Sequence, residues 1–258
     1  MTSAVTVLSD ARPAVARNRR YLLVPPAGGT LAALRNVVDA APGVTVWGVE
    51  YPGRGRRIVD PSPSTLVDLA EQIARELAGR CGSRDVARLV LVGFSMGAFV
   101  ALEVAWRVHA RSGTAPAALV VIGATAPQRR SPAKYARTDT ATLTRLLDRD
   151  GLVPGLRESP EAWDYVLELL RDDLRLTSRY RTSAITRVPC PLAALCGADD
   201  PGLDSVDDAT DAWRSWTAGP FTARVVRGGH LGLLGAGRGA EFWAQVGEIE
   251  KTITGGLR

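Results

Sequence analysis

The chain has 258 residues, of which 46% are hydrophobic and 23% charged, values typical of a soluble protein that folds as one α/β domain. No apolar run approaches the roughly 20 residues that cross a bilayer, and three irregularly spaced cysteines exclude a disulfide framework or a zinc site, so a cytoplasmic protein without a metal is expected. The net charge of +5 favours an acidic partner, and the alternative is that the basic residues only form a solvated surface. These residues are scattered and not interleaved with aromatic ones, which argues against nucleic acid as the partner.

Residues 1–20 contain no uninterrupted apolar segment, so they are expected to form a flexible tail before one domain at residues 21–258. In that domain, short apolar runs alternate with segments of helical spacing. The predicted strands are 21–24, 45–49, 89–92, 118–123, 191–196 and 221–226. The predicted helices are 31–40, 65–79, 96–110, 141–148, 161–180, 206–216 and 239–253. Strands that are apolar on both faces predict a mostly parallel sheet with helices on both faces.

The alternation of strands and helices stops between about residues 131 and 180. Two helical segments in this region are separated by residues 151–155, with no strand between them. An all-helical insertion in an α/β domain predicts a lid over the functional edge of the sheet, and an interaction module is the alternative.

One serine lies at a bend between a strand and a helix, in Gly93-Phe94-Ser95-Met96-Gly97. The Gly-x-Ser-x-Gly pattern alone is common by chance. Between an apolar run and a helical segment it predicts a nucleophile elbow, a tight turn that presents the Ser95 hydroxyl above the edge of the sheet.

A serine nucleophile needs a histidine base and an orienting carboxylate. The chain has two histidines. His109 lies about fourteen residues along the helix that starts after Ser95, or ~21 Å away, so it is excluded. His230 follows the strand at 221–226, and Asp200 follows the strand at 191–196, with Asp199 as the alternative acid. The order Ser95, Asp200, His230 is that of α/β-hydrolases, which is therefore the predicted fold.

The tetrahedral intermediate of such a reaction needs two N–H donors. The backbone N–H of Met96, at the start of a helix, is one candidate, and that of Ala27, in the loop after the first predicted strand, is the other. The competing interpretation is that Pro26-Ala27-Gly28-Gly29 binds phosphate, but the segment lacks the P-loop lysine. A loose dinucleotide pattern at residues 235–240 follows no strand and is rejected.

Five landmarks of the chain resemble type II thioesterases of polyketide and nonribosomal peptide synthesis. They are Pro25-Pro26-Ala27-Gly28-Gly29, Val49-Glu50-Tyr51-Pro52-Gly53-Arg54-Gly55, Gly93-Phe94-Ser95-Met96-Gly97-Ala98, Cys196-Gly197-Ala198-Asp199-Asp200-Pro201 and Gly228-Gly229-His230. The similarity extends from about residue 21 to residue 250, and Tyr-Pro-Gly-Arg-Gly is its most specific part because generic esterases and lipases do not share it.

The resemblance implies an editing enzyme that hydrolyses acyl or aminoacyl groups from the phosphopantetheine arm of acidic acyl or peptidyl carrier proteins. It implies a monomer that needs no cofactor. Two alternatives stay open at this point. One is a dedicated offloading thioesterase that releases or cyclises a single product, and the other is a carrier-binding homologue with little turnover.

Three positions, at two places in the chain, depart from the family pattern. Most members have histidine before the nucleophile, where this chain has Phe94, and an aromatic pair after Gly-Gly-His, where it has Leu231 and Gly232. Neither change removes a proposed catalytic residue, so we expect altered packing behind the elbow and an altered acyl preference.

Overall fold

A seven-stranded sheet forms the centre of the protein in this computed structural model, which describes residues 2–10, 19–136, 139–150, 158–182, 187–203 and 205–255. Its strands are β1 (Val5–Ser9), β2 (Arg20–Val24), β3 (Thr45–Val49), β4 (Leu89–Phe94), β5 (Ala118–Ile122), β6 (Leu192–Gly197) and β7 (Phe221–Val226). Their order across the sheet is β1-β3-β2-β4-β5-β6-β7. β1 pairs antiparallel with β3 and the other neighbours pair in parallel, so the predicted mostly parallel sheet is confirmed.

The prediction of a flexible tail at residues 1–20 is wrong for the segment that forms β1. Val5 pairs with Val49 of β3, and Ala4 and Val5 are almost fully buried. The carboxylate of Glu76 accepts hydrogen bonds from the N–H groups of Ala4 (2.7 Å) and Val5 (3.2 Å). A five-residue strand at a sheet edge is held by these tertiary contacts, which a search for long apolar runs does not detect.

In the described part of the chain, most helices follow a strand in the sequence, and they pack on both faces of the sheet. They are α1 (Arg35–Asp39), α2 (Leu66–Arg80), α3 (Ser83–Val86), α4 (Met96–Ser112), α5 (Pro132–Ala136), α6 (Thr140–Asp150), α7 (Pro160–Arg179), α8 (Val206–Asp211) and α9 (Gly239–Gly255). Two predicted helices are each divided, because Leu31–Leu34 and Ala212–Trp216 are 3₁₀ helices next to α1 and α8. Such tighter turns are frequent at helix ends.

Each central strand is buried on both of its faces, which accounts for the continuous apolar runs. In β4, Leu91 belongs to the core layer that α2, α4 and α7 share, whereas Val92 and Phe94 belong to the layer beneath α1 and α9. The sheet is thus the middle of three layers, and its carboxyl edge is left for the loops that follow the strands.

Helices α5, α6 and α7 form the predicted helical insertion between β5 and β6. Residues 151–155, the predicted connection, lie outside the described residues. The buried leucines of α7, including Leu170 and Leu174, join the core layer of α4. α7 also reaches the loop after β2, because a Cβ on Gly28 would lie 3.0 Å from the Cβ of Leu170. α7 therefore lies against the loop at the carboxyl end of β2.

Candidate active site

Ser95 occupies a strained turn between β4 and α4. Its φ is +51° and its ψ is −114°, and among the described residues no other non-glycine has a positive φ. Such a backbone conformation costs about 1–3 kcal/mol and persists only where the surrounding structure enforces it. A Cβ on Gly93 would overlap the backbone of Gly97, and a Cβ on Gly97 would overlap the carbonyl oxygens at the end of β2. Both glycines of the pattern are therefore required by close backbone approach.

The three residues predicted for the catalytic group lie together. His230 Nε2 is 2.9 Å from Ser95 Oγ, and His230 Nδ1 is 2.7 Å from Asp200 Oδ2. The backbone N–H of Gly202 donates to the second oxygen, Asp200 Oδ1, over 2.8 Å. The Asp200 side chain is fully buried and that of His230 is 16% exposed. A buried carboxylate bonded from two sides can hold an imidazole in one tautomer and orientation.

The loops after β6 and β7 bring the acid and the histidine to the same place. The N–H of Ala198 donates to Val226 O (2.8 Å) and that of Asp199 donates to Gly228 O (3.0 Å), which extends the pairing of the two strands into their loops. Asp199 is exposed, so the structure brings Asp200 and not Asp199 to the histidine. His109 lies near the carboxyl-terminal end of α4, at the opposite end from Ser95.

The residues predicted to donate to an oxyanion lie on two adjacent backbone segments. Met96 is the first residue of α4, directly after Ser95. The loop at residues 25–30 lies beside it, since the carbonyl oxygens of Val24 and Pro25 crowd Gly97. Ala27 is buried in this loop, and Gly28 after it has φ +69°. Their role in stabilising an oxyanion stays a prediction.

A buried ion pair that sequence reasoning missed supports this loop. Arg54 and Asp173 are each 3% exposed, and the two terminal guanidinium nitrogens, Nη1 and Nη2, each lie 2.8 Å from a carboxylate oxygen. Burial alone would lower the pKa of Arg54, but the charge and hydrogen bonds of Asp173 outweigh it and raise that pKa. Burial, and then the charge of Asp173, raises the pKa of Tyr51 beside them. The helical spacing of α7 could have indicated that Asp173 is buried, because it lies on the same face of the helix as the buried residues Leu170 and Thr177.

Phe94 and Leu231, two of the positions that depart from the family pattern, both lie in the layer beneath α9. Phe94 is fully buried, and its ring centroid is 5.9 Å from that of Phe242. Phe94 is therefore a core residue on the opposite face of the sheet from α4.

The described residues include no group of three or more histidine, cysteine, aspartate or glutamate side chains suited to a metal ion. In the described part of the chain, every helix is too short or too polar to cross a membrane.

Comparison with known proteins places the chain in a family. The family model for the thioesterase domain matches residues 19–244. A relative from Streptomyces griseus, named a probable cadicidin biosynthesis thioesterase, is 34% identical over 224 residues, 86% of this chain and 60% of the relative. The chain thus spans about three fifths of that relative's length. Thioesterase PikA5 of Streptomyces venezuelae is 31% identical over 217 residues, 83% of this chain and 75% of the relative.

The solved structures include one of YbtT, described as a type II thioesterase from the yersiniabactin NRPS/PKS biosynthetic pathway. It is 28% identical, has a TM-score of 0.81, and the match covers 97% of this chain and 99% of that chain. The predicted α/β-hydrolase fold and the resemblance to type II thioesterases are therefore confirmed, and the chain belongs to the thioesterase family.

Proposed function

We propose that this protein is a serine thioesterase that edits a polyketide or nonribosomal peptide synthase by hydrolysing acyl or aminoacyl thioesters on carrier proteins. The observation that carries the proposal is the continuous hydrogen-bonded series from Ser95 through His230 to Asp200. The family's thioester hydrolase activity agrees with this geometry. The reaction needs no metal or cofactor, because each proton and electron pair passes between the substrate, water and these side chains.

The first half of the reaction transfers the acyl group to the enzyme. Ser95 Oγ attacks the thioester carbonyl carbon while its proton passes to His230 Nε2. The tetrahedral oxyanion accepts hydrogen bonds from the N–H groups of Met96 and Ala27, and the positive end of the α4 dipole adds to this stabilisation. Collapse of the intermediate breaks the carbon–sulfur bond, and His230 returns the proton to the phosphopantetheine thiol.

The second half releases the acyl group. A water molecule gives its proton to His230 Nε2 and attacks the ester of Ser95, and collapse returns the proton to Ser95 Oγ with release of the free acid. Asp200 stays ionised throughout, holds Nδ1 of His230 in its protonated form and stabilises the imidazolium that forms in each half.

A carrier protein as partner is supported by the relative that is named for cadicidin biosynthesis and by YbtT, which is described as belonging to an NRPS/PKS biosynthetic pathway. The net charge of +5 complements an acidic carrier domain and raises the rate of encounter through long-range attraction. The insertion of α5 to α7 would act as the lid over the acyl group. We also propose that the protein is a monomer and acts in the cytoplasm.

The test uses carrier protein loaded with a panel of acyl and aminoacyl groups. The wild-type protein should release free acids, and Ser95→Ala should lower the rate by at least ~10³-fold without a change in the circular dichroism spectrum. His230→Ala should lower the rate of hydrolysis by a comparable factor. His109→Ala is the matched control and should retain activity. Unchanged turnover of Ser95→Ala would contradict the mechanism.

The same assay separates editing from dedicated offloading. Mass spectrometry of the released products distinguishes linear acids from cyclised ones. Release of many different short acyl groups as linear acids supports editing, whereas release of one long chain as a macrocycle would identify an offloading enzyme instead. A wild-type protein that binds the carrier but releases none of the panel would overturn the proposed activity.

A further inference from the structure

The ion pair between Arg54 and Asp173 joins two distant parts of the chain at the predicted oxyanion loop. Arg54 belongs to the loop after β3, and Asp173 to α7 of the helical insertion. The guanidinium Nη1 and Nη2 each donate to a different carboxylate oxygen over 2.8 Å, so the pair is bidentate. A bidentate arginine–carboxylate pair fixes the orientation of both groups as well as their separation.

Both members of the pair also bond to the backbone of the loop at residues 25–30. The N–H of Gly28 donates to Asp173 Oδ2 over 2.8 Å. Arg54 Nη1 donates to the carbonyl oxygen of Gly29 over 3.0 Å. Nearby, the hydroxyl of Tyr51 donates to the carbonyl oxygen of Pro25 over 2.6 Å. The loop is therefore held on both sides of Ala27, two residues before it at Pro25 and directly after it at Gly28.

These contacts decide where the Ala27 N–H points. The orientation of a backbone N–H follows from the peptide planes on either side of it, and here both neighbouring planes carry fixed hydrogen bonds. Gly28 has φ +69°. Because glycine adopts positive and negative φ about equally well, hydrogen bonds to its backbone can select one of these conformations. An oxyanion donor is effective only when it is oriented before the charge develops.

The pair is poorly explained as a contribution to stability alone. In many buried ion pairs, the free energy lost when two charges leave water is as large as the free energy gained from their attraction. Proteins in which such a pair is replaced by apolar side chains are therefore often as stable as the original. A function that apolar side chains could not perform is available here, namely hydrogen bonding to the Gly28 N–H and the Gly29 carbonyl.

We propose that Asp173 and Arg54 are positioning residues that orient the Ala27 N–H toward the oxyanion. Because Asp173 belongs to α7, this orientation depends on the position of α7 against the loop. The inference rests on the proposed function. α7 is held to the same region by the hydroxyl of Tyr165, which donates to Gly53 O over 2.9 Å, and by Leu170 against Gly28. A lid helix displaced from this place would leave the oxyanion site with one oriented donor.

The test measures hydrolysis of a neutral small-molecule acyl thioester, so that carrier docking has no part in the result. Asp173→Asn should lower kcat by about 10–100-fold, because complete loss of one oxyanion donor costs 10²–10³-fold and a misoriented donor costs less. KM should stay within about twofold, since the donor acts on the transition state and not on the bound thioester. The affinity for an alkylboronic acid, which forms a tetrahedral adduct on Ser95, should fall in parallel with kcat.

Two further variants separate positioning from folding. Arg54→Met with Asp173→Leu removes both charges together, and should recover thermal stability while kcat stays low because the loop hydrogen bonds are still missing. Glu103→Gln breaks another buried ion pair, to Arg107 on α4, and is the matched control. It should lower thermal stability and leave the kcat of the folded protein unchanged.

The possible failures are distinct. Wild-type kcat in Asp173→Asn, or full recovery of kcat together with stability in the double variant, would overturn the positioning role while leaving the proposed thioesterase intact. A wild-type protein that does not hydrolyse the thioester would contradict the proposed function itself, and this inference with it.

Discussion

Asp200 and His230 are joined by a hydrogen bond of 2.7 Å from Nδ1 to Oδ2, whereas Asp199, one residue earlier, is exposed. Asp200→Asn should lower kcat/KM by about 10⁴-fold, because an amide in that place favours the wrong imidazole tautomer. Asp199→Asn should leave kcat/KM unchanged. Steady-state kinetics of the two variants check this pair, and the reverse order of effects would assign the acid to Asp199.

The basic surface predicts a dependence of carrier recognition on salt. At about 0.15 M salt the Debye length is about 8 Å, so attraction between the net charge of +5 and an acidic carrier is largely screened. Raising salt from low to physiological concentration should raise KM for an acyl group on carrier protein more than for the same acyl group on a neutral small thiol. Equal responses of the two substrates would leave the net charge without a role in recognition.

The main elements could be predicted from sequence because each has a local cause. The strands of the parallel sheet are short apolar runs with two buried faces, so β4 and β5 stand out from their surroundings without any knowledge of neighbours. The histidine of the site could be chosen because the chain offers two, and helix geometry excludes His109.

The remaining features depend on contacts between distant residues. β1 has three consecutive β-branched residues, Val5, Thr6 and Val7, but its stability comes from β3 and from the Glu76 carboxylate. Asp172 and Asp173 are neighbours of the same type, yet the first pairs with Arg175 at the surface and the second with Arg54 in the interior. The sequence indicates their helix, but the packing of that helix decides which aspartate is buried.

Two buried cysteines, Cys190 and Cys196, should be chemically inert in the folded protein. Burial raises the pKa of the Cys190 thiol to about 12, and burial followed by the charge of Asp200 raises that of Cys196 to about 12. The thiolate is the reactive form, so at pH 8 alkylation by iodoacetamide should be slow at both residues and should become fast only on unfolding. Mass spectrometry of native and denatured samples measures this. Equal rates in the two samples would contradict the burial of these thiols.

Phe94→His restores the residue that most of the family has before the nucleophile, and it should destabilise this chain without disabling it. The phenyl ring is fully buried in the layer with Phe242, so a smaller polar ring there should cost about 2–4 kcal/mol of unfolding free energy. Burial lowers a histidine pKa below its usual value of about 6.5, so the unfolded chain binds the proton first and stability falls further as pH decreases from 7 to 5.

Phe94→Leu is the control for this pH dependence and should lack that additional loss of stability. Chemical denaturation at both pH values measures the difference, and kcat should stay near wild type because the side chain lies on the opposite face of the sheet from α4. Identical pH profiles for the two variants would show that the imidazole at this position is solvated or paired.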